Sequence, residues 1–347
     1  MNLQTLLSRL VNNLFRRGLA FPGRGALNVN IPRVGKTSVI VMQDSTRLRA
    51  EIGGLSLSNP TILSSGILGT SSDLLRRVAR AGAGAVTTKS VGLKARRSYQ
   101  NPTVIQVEGG LLNALGLPNP GIHEFAEEIR ELHDLKVPLI VSIYGFSAEE
   151  YAEVAAVAAD SGADALELNL SCPHVKGAGA EIGQNPQTIS EVTEKVKDTV
   201  DGPVFVKLTP NVTDITTLAR AAAMVGADAI TAINTVKAMA IDIETAKPIL
   251  ANKIGGLSGG AIKPIAVRCV YEIYEATDIP VIGCGGIRTW RDAVEFMLAG
   301  ASAVQIGSAI AFEDLAIFNT VAKGVDSYLE GKGHKSVKEI VGLAHRS

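Results

Sequence analysis

Four stretches of this chain repeat one phrase: "RAGAGAVTTKS" (80–90), "DSGADALELNL" (160–170), "MVGADAITAIN" (224–234) and "LAGASAVQIGS" (298–308). In each, a helical pattern stops at a glycine, a small residue follows, and a run of strand formers begins. The glycine suits the position just past a helix end, where a left-handed backbone closes the last turn. One joint used four times is the mark of a repeated strand–helix unit. A chain assembled from such units makes parallel strands, and both faces of those strands are covered by helices.

Eight short, nearly continuous apolar runs fit that description: 61–67, 85–91, 139–145, 165–171, 204–210, 229–234, 280–285 and 303–309. Helical patterns lie between them. The segment 147–161, "SAEEYAEVAAVAADS", opens on a serine cap with acids in its first turn. Eight alternating units in about 300 residues predict an α/β fold, a (β/α)8 TIM barrel. A doubly wound open sheet is the second choice, because it seldom uses so many even repeats. Insertions are expected after strands 2 and 6, at 92–120 and 235–262. Both fall on the βα side, where barrel sites are built.

Residues 1–45 stand apart as an N-terminal extension, with the barrel domain assigned to 46–347. Leu3, Leu6, Leu7, Leu10, Val11, Leu14 and Phe15 share one helical face, beside Arg9, Arg16 and Arg17. An amphipathic helix followed by a loop is expected, packed on the barrel, on a partner or on a membrane surface. Met42 is an alternative start, since it precedes the first convincing β element, "RLRAEIGGLSLSNP".

The composition, 46% hydrophobic and 20% charged with zero net charge, argues for a large core and against nucleic acid as the main partner. Three cysteines do not make a disulfide framework, which points to a reducing, cytoplasmic compartment. The five histidines are scattered and no CxxC occurs, so no metal site is expected.

Residues at the C-terminal strand ends of such a barrel face the ligand. Here they are Ser64–Gly66, Lys89–Ser90, Ser142 with Tyr144, Asn169 with Ser171 and Cys172, Lys207, Asn234–Thr235, Gly285–Gly286 and Gly307–Ser308. Glycine loops after strands 7 and 8 are the usual barrel phosphate site. Lys89 and Lys207 sit in apolar runs, where a lysine is costly unless it meets an anion. Asn169 and Asn234 each offer a donor and an acceptor, which suits an amide or imide edge. Cys172 follows strand 4 and heads a loop bearing Gly177, Gly179 and Gly183, a place for a base or nucleophile under a closing flap. Cys269 and Cys284 read as small buried hydrophobes.

Taken together, "NLSCP", "AINT", "KLTPNVTDI", "NALGLPNPG" and "KPILANKIGGLSGGAIKPIAV" resemble the dihydroorotate dehydrogenase family, most closely its NAD-linked catalytic subunits, from about residue 47 to 340. The resemblance implies FMN-dependent oxidation of (S)-dihydroorotate to orotate in pyrimidine (UMP) biosynthesis by an oxidoreductase acting on a CH–CH bond. It makes Cys172 the base at C5, with a hydride passing from C6 to flavin N5. It implies that Lys89, Asn113, Ala114, Leu115, Gly116, Leu117, Asn169, Asn234 and Thr235 hold the substrate. It assigns FMN to Ser65, Lys89, Ser90, Asn169, Lys207, Ile233, Gly259, Gly285, Gly286, Gly307 and Ser308.

The resemblance further implies an electron-transfer subunit carrying FAD and a 2Fe–2S cluster, delivering electrons to NAD+, in a homodimer or heterotetramer. The chain departs from the family pattern at His174, where many members have asparagine, and at Ser142, where the NAD-linked branch tends to have an FMN-contacting asparagine. "NLSCPH" also resembles dihydropyrimidine dehydrogenase, so that enzyme or another FMN barrel is the alternative; a non-catalytic phosphate-binding barrel is the third reading.

Overall fold

The computed structural model describes residues 46–170 and 182–346. The N-terminal extension, with its expected amphipathic helix, lies outside the described residues, as do Ser171, Cys172 and His174.

Eight parallel strands close into a barrel: β1 (Thr61–Leu63), β2 (Ala85–Thr87), β3 (Leu139–Ile143), β4 (Ala165–Asn169), β5 (Val204–Leu208), β6 (Ala229–Ala232), β7 (Val281–Cys284) and β8 (Ala301–Ile306). Each is followed by a helix: α1 (Ser72–Arg80), α2 (Ile122–Arg130), α3 (Ala148–Asp160), α4 (Pro186–Lys197), α5 (Ile215–Met224), α6 (Lys263–Ala276), α7 (Trp290–Leu298) and α8 (Ala316–Lys332). Sequence neighbours pair throughout, and β8 returns to β1 through Gln305↔Ile62. The (β/α)8 barrel read from the repeated joint is the observed fold.

The joint works as its residues require. Gly82, Gly162, Gly226 and Gly300 all have positive φ, between 87° and 120°. In two joints the following aspartate adds a tether: Asp164 accepts from Leu139 N at 2.7 Å, and Asp228 accepts from Val204 N at 2.7 Å. Each carboxylate thus holds the first residue of the neighbouring strand and satisfies a donor that would otherwise be orphaned. Helix starts are capped by side chains. Ser147 accepts from Glu150 N, Asn185 from Gln187 N, and Asp214 from Thr216 N.

The barrel interior is layered. The lowest layer takes one apolar residue from each strand: Ile62, Ala85, Ile140, Ala165, Phe205, Ala229, Ile282 and Ala303. It packs on Ala50, Ile52, Leu55 and Leu57 of an antiparallel hairpin, Ala50–Ile52 with Leu55–Leu57, which plugs that end. One step up each strand, at i+2 on the same face, the interior turns polar with Glu167, Lys207, Thr231 and Gln305.

The two insertions come together. Val236–Met239, Ile254–Ser258, Gly110–Asn113 and Val104–Val107 form one four-stranded antiparallel sheet in that order. Leu112, Ala114 and Leu250 make its own small core. The sequence predicted both insertions but not their pairing, which needs contacts across more than a hundred residues.

Candidate active site

The strand-end residues meet in two chains of hydrogen bonds. In the first, Asn234 Nδ2 donates to Asn169 Oδ1 at 3.2 Å and Asn169 Nδ2 donates to Ser90 Oγ at 2.9 Å. Ser90 Oγ lies 2.9 Å from Ser142 Oγ. Four strand ends are thereby linked through side chains alone. Lys89 is buried beside Ser90, with 8% of its surface exposed, and its N–H is held by Gly69 O at 2.8 Å.

The second chain is deeper. Lys207 Nζ donates to Gln305 Oε1 at 2.7 Å and lies within reach of Ser65 Oγ (3.2 Å), Ser64 Oγ (3.4 Å) and Glu167 Oε1 (3.4 Å). Glu167 Oε2 accepts from Gln305 Nε2 at 2.6 Å and from Thr231 Oγ1 at 3.2 Å. The Lys207 and Glu167 side chains are 3% and 0% exposed. This is a buried ion pair with every hydrogen-bonding atom engaged, the condition under which such a pair is tolerated.

The insertion sheet brings up the "NALGL" run. Asn113 Nδ2 donates to Gly256 O at 3.2 Å, and Gly256 itself lies against Thr235. Thr235 N donates to Asn234 Oδ1 at 2.8 Å, so Asn113, Thr235, Asn234 and Asn169 form one connected set. The carbonyls of the run are anchored: Leu115 O by Tyr99 N and Ser98 Oγ, Gly116 O by Arg96 Nε, and Leu117 O by Asn119 Nδ2. Asn119 Nδ2 also donates to Tyr144 Oη at 2.8 Å, tying the run to the end of β3.

The glycine loops lie at the ends of β7 and β8. Gly286 has φ 81°, and a Cβ there would stand 2.7 Å from Gly259 O, so the close approach of the β7 loop to the second insertion requires glycine at 286. Ile233 N donates to Cys284 O at 2.8 Å, placing Ile233 beside Gly285. Gly307 and Ser308 form the turn into the short helix Ile310–Glu313, and Gly307 lies close to Ser64. Among the described residues, the N–H groups of Gly286, Gly307 and Ser308 find no protein acceptor. Asp292 fixes the first loop from below. Its carboxylate accepts from Arg288 N (3.0 Å), Thr289 N (2.8 Å) and Lys263 Nζ (2.8 Å).

The described residues among those read from the sequence lie at this one end of the barrel, whereas Ser171 and Cys172 are outside the described residues. Sequence reasoning missed Glu167, Thr231, Gln305 and Asn119. Glu167 and Gln305 stood two residues before Asn169 and Gly307. The two-residue period of a strand puts such positions on the same inward face. Among the described residues no group of three His, Cys, Asp or Glu is placed to hold a metal ion, and no helix is long and apolar enough to cross a membrane.

Comparison with known proteins agrees with this architecture. The chain is 53% identical over 297 residues to "Dihydroorotate dehydrogenase B (NAD(+)), catalytic subunit" of Pyrococcus abyssi, covering 86% of this chain and 99% of that one. It is 52% identical over 300 residues to the protein of the same description from Methanocella arvoryzae, covering 86% and 98%. The model of the family described as "Dihydroorotate dehydrogenase" matches residues 47–329, so this chain belongs to the dihydroorotate dehydrogenase family.

Proposed function

We propose that this chain oxidises (S)-dihydroorotate to orotate in UMP synthesis, using FMN. The observation that carries the reading is the convergence of Ser90, Asn169, Asn234 and Thr235 into one hydrogen-bonded set beside Lys89, with Asn113 brought against it through Gly256. That set offers paired donors and acceptors for the imide edge of a dihydropyrimidine, and a buried cation for its carboxylate. The relatives' description, a dihydroorotate dehydrogenase, supports the dihydroorotate part of this reading.

The donor set also fits FMN. The uncommitted N–H groups of Gly286, Gly307 and Ser308 suit a phosphate, and Ser65, Lys207 and Asn169 suit polar ring atoms. Ile233, Gly259 and Gly285 would line the same flavin cradle, and Lys89 with Ser90 would sit where flavin and substrate meet. When bound, FMN supplies the acceptor for the hydride that leaves C6.

The chain's own work is positioning and proton removal. The "NALGL" run, held by Arg96 and Asn119, orients the substrate ring. Cys172 takes the C5 proton, a role resting on its place in "NLSCP".

We assign residues 46–347 to the barrel and 1–45 to a separate extension. The three cysteines are scattered at 172, 269 and 284 and form no motif for an iron–sulfur centre, and "catalytic subunit" in the relatives' description implies a second subunit. Electrons then leave for NAD+ through a partner carrying FAD and 2Fe–2S, in a cytoplasmic heterotetramer built on a homodimer.

Anaerobic mixing tests this. Dihydroorotate should bleach the visible band of the purified yellow protein, and NAD+ should restore it only with the partner present. Bleaching by dihydrouracil and not by dihydroorotate would move the chain to the dihydropyrimidine dehydrogenase reading. A colourless protein that takes up no FMN would overturn the flavin assignment.

A further inference from the structure

We infer that Glu167 and Gln305 are positioning residues that act through Lys207 to set the charge felt by the flavin. The inference deepens the proposed flavin site and rests on the assignment of Lys207 to it.

The observation is a polar layer where folding alone calls for an apolar one. The layer just below it, from Ile62 to Ala303, is wholly apolar and closes the barrel with the hairpin. Directly above, a carboxylate with 0% exposure is buried against an ammonium with 3% exposure. Apolar side chains of similar volume would serve the fold as well or better, because burying charge costs more than an ordinary pair returns. Two further inward residues, Gln305 and Thr231, exist in this layer to satisfy that carboxylate.

The geometry says what the arrangement does. Lys207 has three N–H donors and four oxygens within 3.4 Å. It can release a hydroxyl at the mouth, Ser65 or Ser64, to meet a ligand while Gln305 and Glu167 hold it from below. Gln305 bridges the pair, accepting from the ammonium at 2.7 Å and donating to the carboxylate at 2.6 Å, so the two charges share one fixed frame. A reduced flavin is richer in negative charge than an oxidised one, so a nearby ammonium favours reduction and its paired carboxylate tempers that effect.

The test is the flavin midpoint potential of the full chain loaded with FMN, together with FMN affinity from titration of the stripped protein. Glu167→Gln should raise the midpoint by about 30 mV or more, the equivalent of a tenfold change for a two-electron couple. The double swap Glu167→Gln with Gln305→Glu returns a carboxylate to the side chain that now touches Lys207, and should bring the midpoint back down. A Glu167→Gln midpoint equal to wild type, or a swap that stays at the single-variant value, would overturn the inference. Should Glu167→Gln not fold, Gln305→Met carries the test. It removes both bridging bonds with an apolar residue of similar size, and should weaken FMN binding about tenfold. An unchanged affinity would count against the inference equally. Wild-type protein that binds no FMN would instead sink the flavin assignment itself, which keeps the two failures apart.

Discussion

Cys269 and Cys284 are free thiols among the described residues, the first buried and the second half-buried. Cys269 is fully buried in α6, and that burial pushes its thiol up, with the Arg268 guanidinium at 3.6 Å pulling only weakly the other way. A neutral, enclosed thiol is a poor nucleophile. Alkylation of the native protein near neutral pH should therefore leave Cys269 unmodified, as peptide mass mapping would show; rapid labelling there would contradict its burial. Cys172 is the base we propose. Cys172→Ala should keep FMN and lose roughly 10²–10⁴ of the turnover at neutral pH, the usual contribution of a positioned base. Steady-state rates near wild type, measured at full flavin content, would remove the residue from its role. Cys172 drew the proposal because its neighbours in the sequence are unusual: a strand pattern before it, a proline and a row of glycines after it. Glu167 was not. Inside "ALELNL" it reads as one more strand residue, and its meaning comes from partners 40 and 138 positions away. Only closure of the barrel sets those partners around it.

At the level of single elements, the joint and the caps carried most of the legible information. The left-handed glycine is a local requirement, so four copies of it gave the unit, and eight units gave the barrel. The aspartate tethers in two of those joints were invisible, because the N–H donors they accept from belong to the start of another strand. The start of α7 shows how an element prepares a site. Thr289 and Asp292 form a reciprocal capping box, and Asp292 also holds Arg288 N and Lys263 Nζ behind Gly285–Gly286. Burial raises the Asp292 carboxyl, but the Lys263 ammonium and the Arg288 and Thr289 N–H groups more than reverse this, leaving it below the usual aspartate range. A carboxyl depressed in the folded state stabilises the fold above its unfolded value, about 3.9, and loses that contribution as pH falls through the lower folded value. Asp292→Asn should cost about 1 kcal/mol at neutral pH, and a smaller gap from wild type should remain near pH 3. Urea unfolding at the two pH values measures this directly. An equal gap at both would mean that the charge of Asp292 does nothing for the loop.

For the whole barrel, the decisive feature is that the apolar floor and the polar strand ends lie at opposite ends. The repeated joint predicted eight strands and hence a closed interior, and the strand ends predicted which mouth would be polar. The sheet built from the two insertions was not predicted, because Ile254–Ser258 lies between partners from both insertions and pairs with neither by local rule. The hairpin plug was seen only as a first β element; its role as the floor depends on all eight strands presenting an apolar residue to it. Ile52 is 1% exposed in that floor, beneath the apolar layer and below the Glu167–Lys207 layer. Replacing it with alanine leaves a cavity where neighbouring strands are too constrained to collapse, a change that costs about 2–5 kcal/mol. Ile52→Ala should thus lower the urea midpoint clearly. FMN affinity, measured well below that midpoint, should stay close to wild type, since sites without shared partners are energetically independent to a few tenths of a kcal/mol. If flavin affinity fell in step with stability, the floor and the mouth would be one cooperative unit. The separation of apolar plug from polar layer would then describe the geometry of the barrel without describing its energetics.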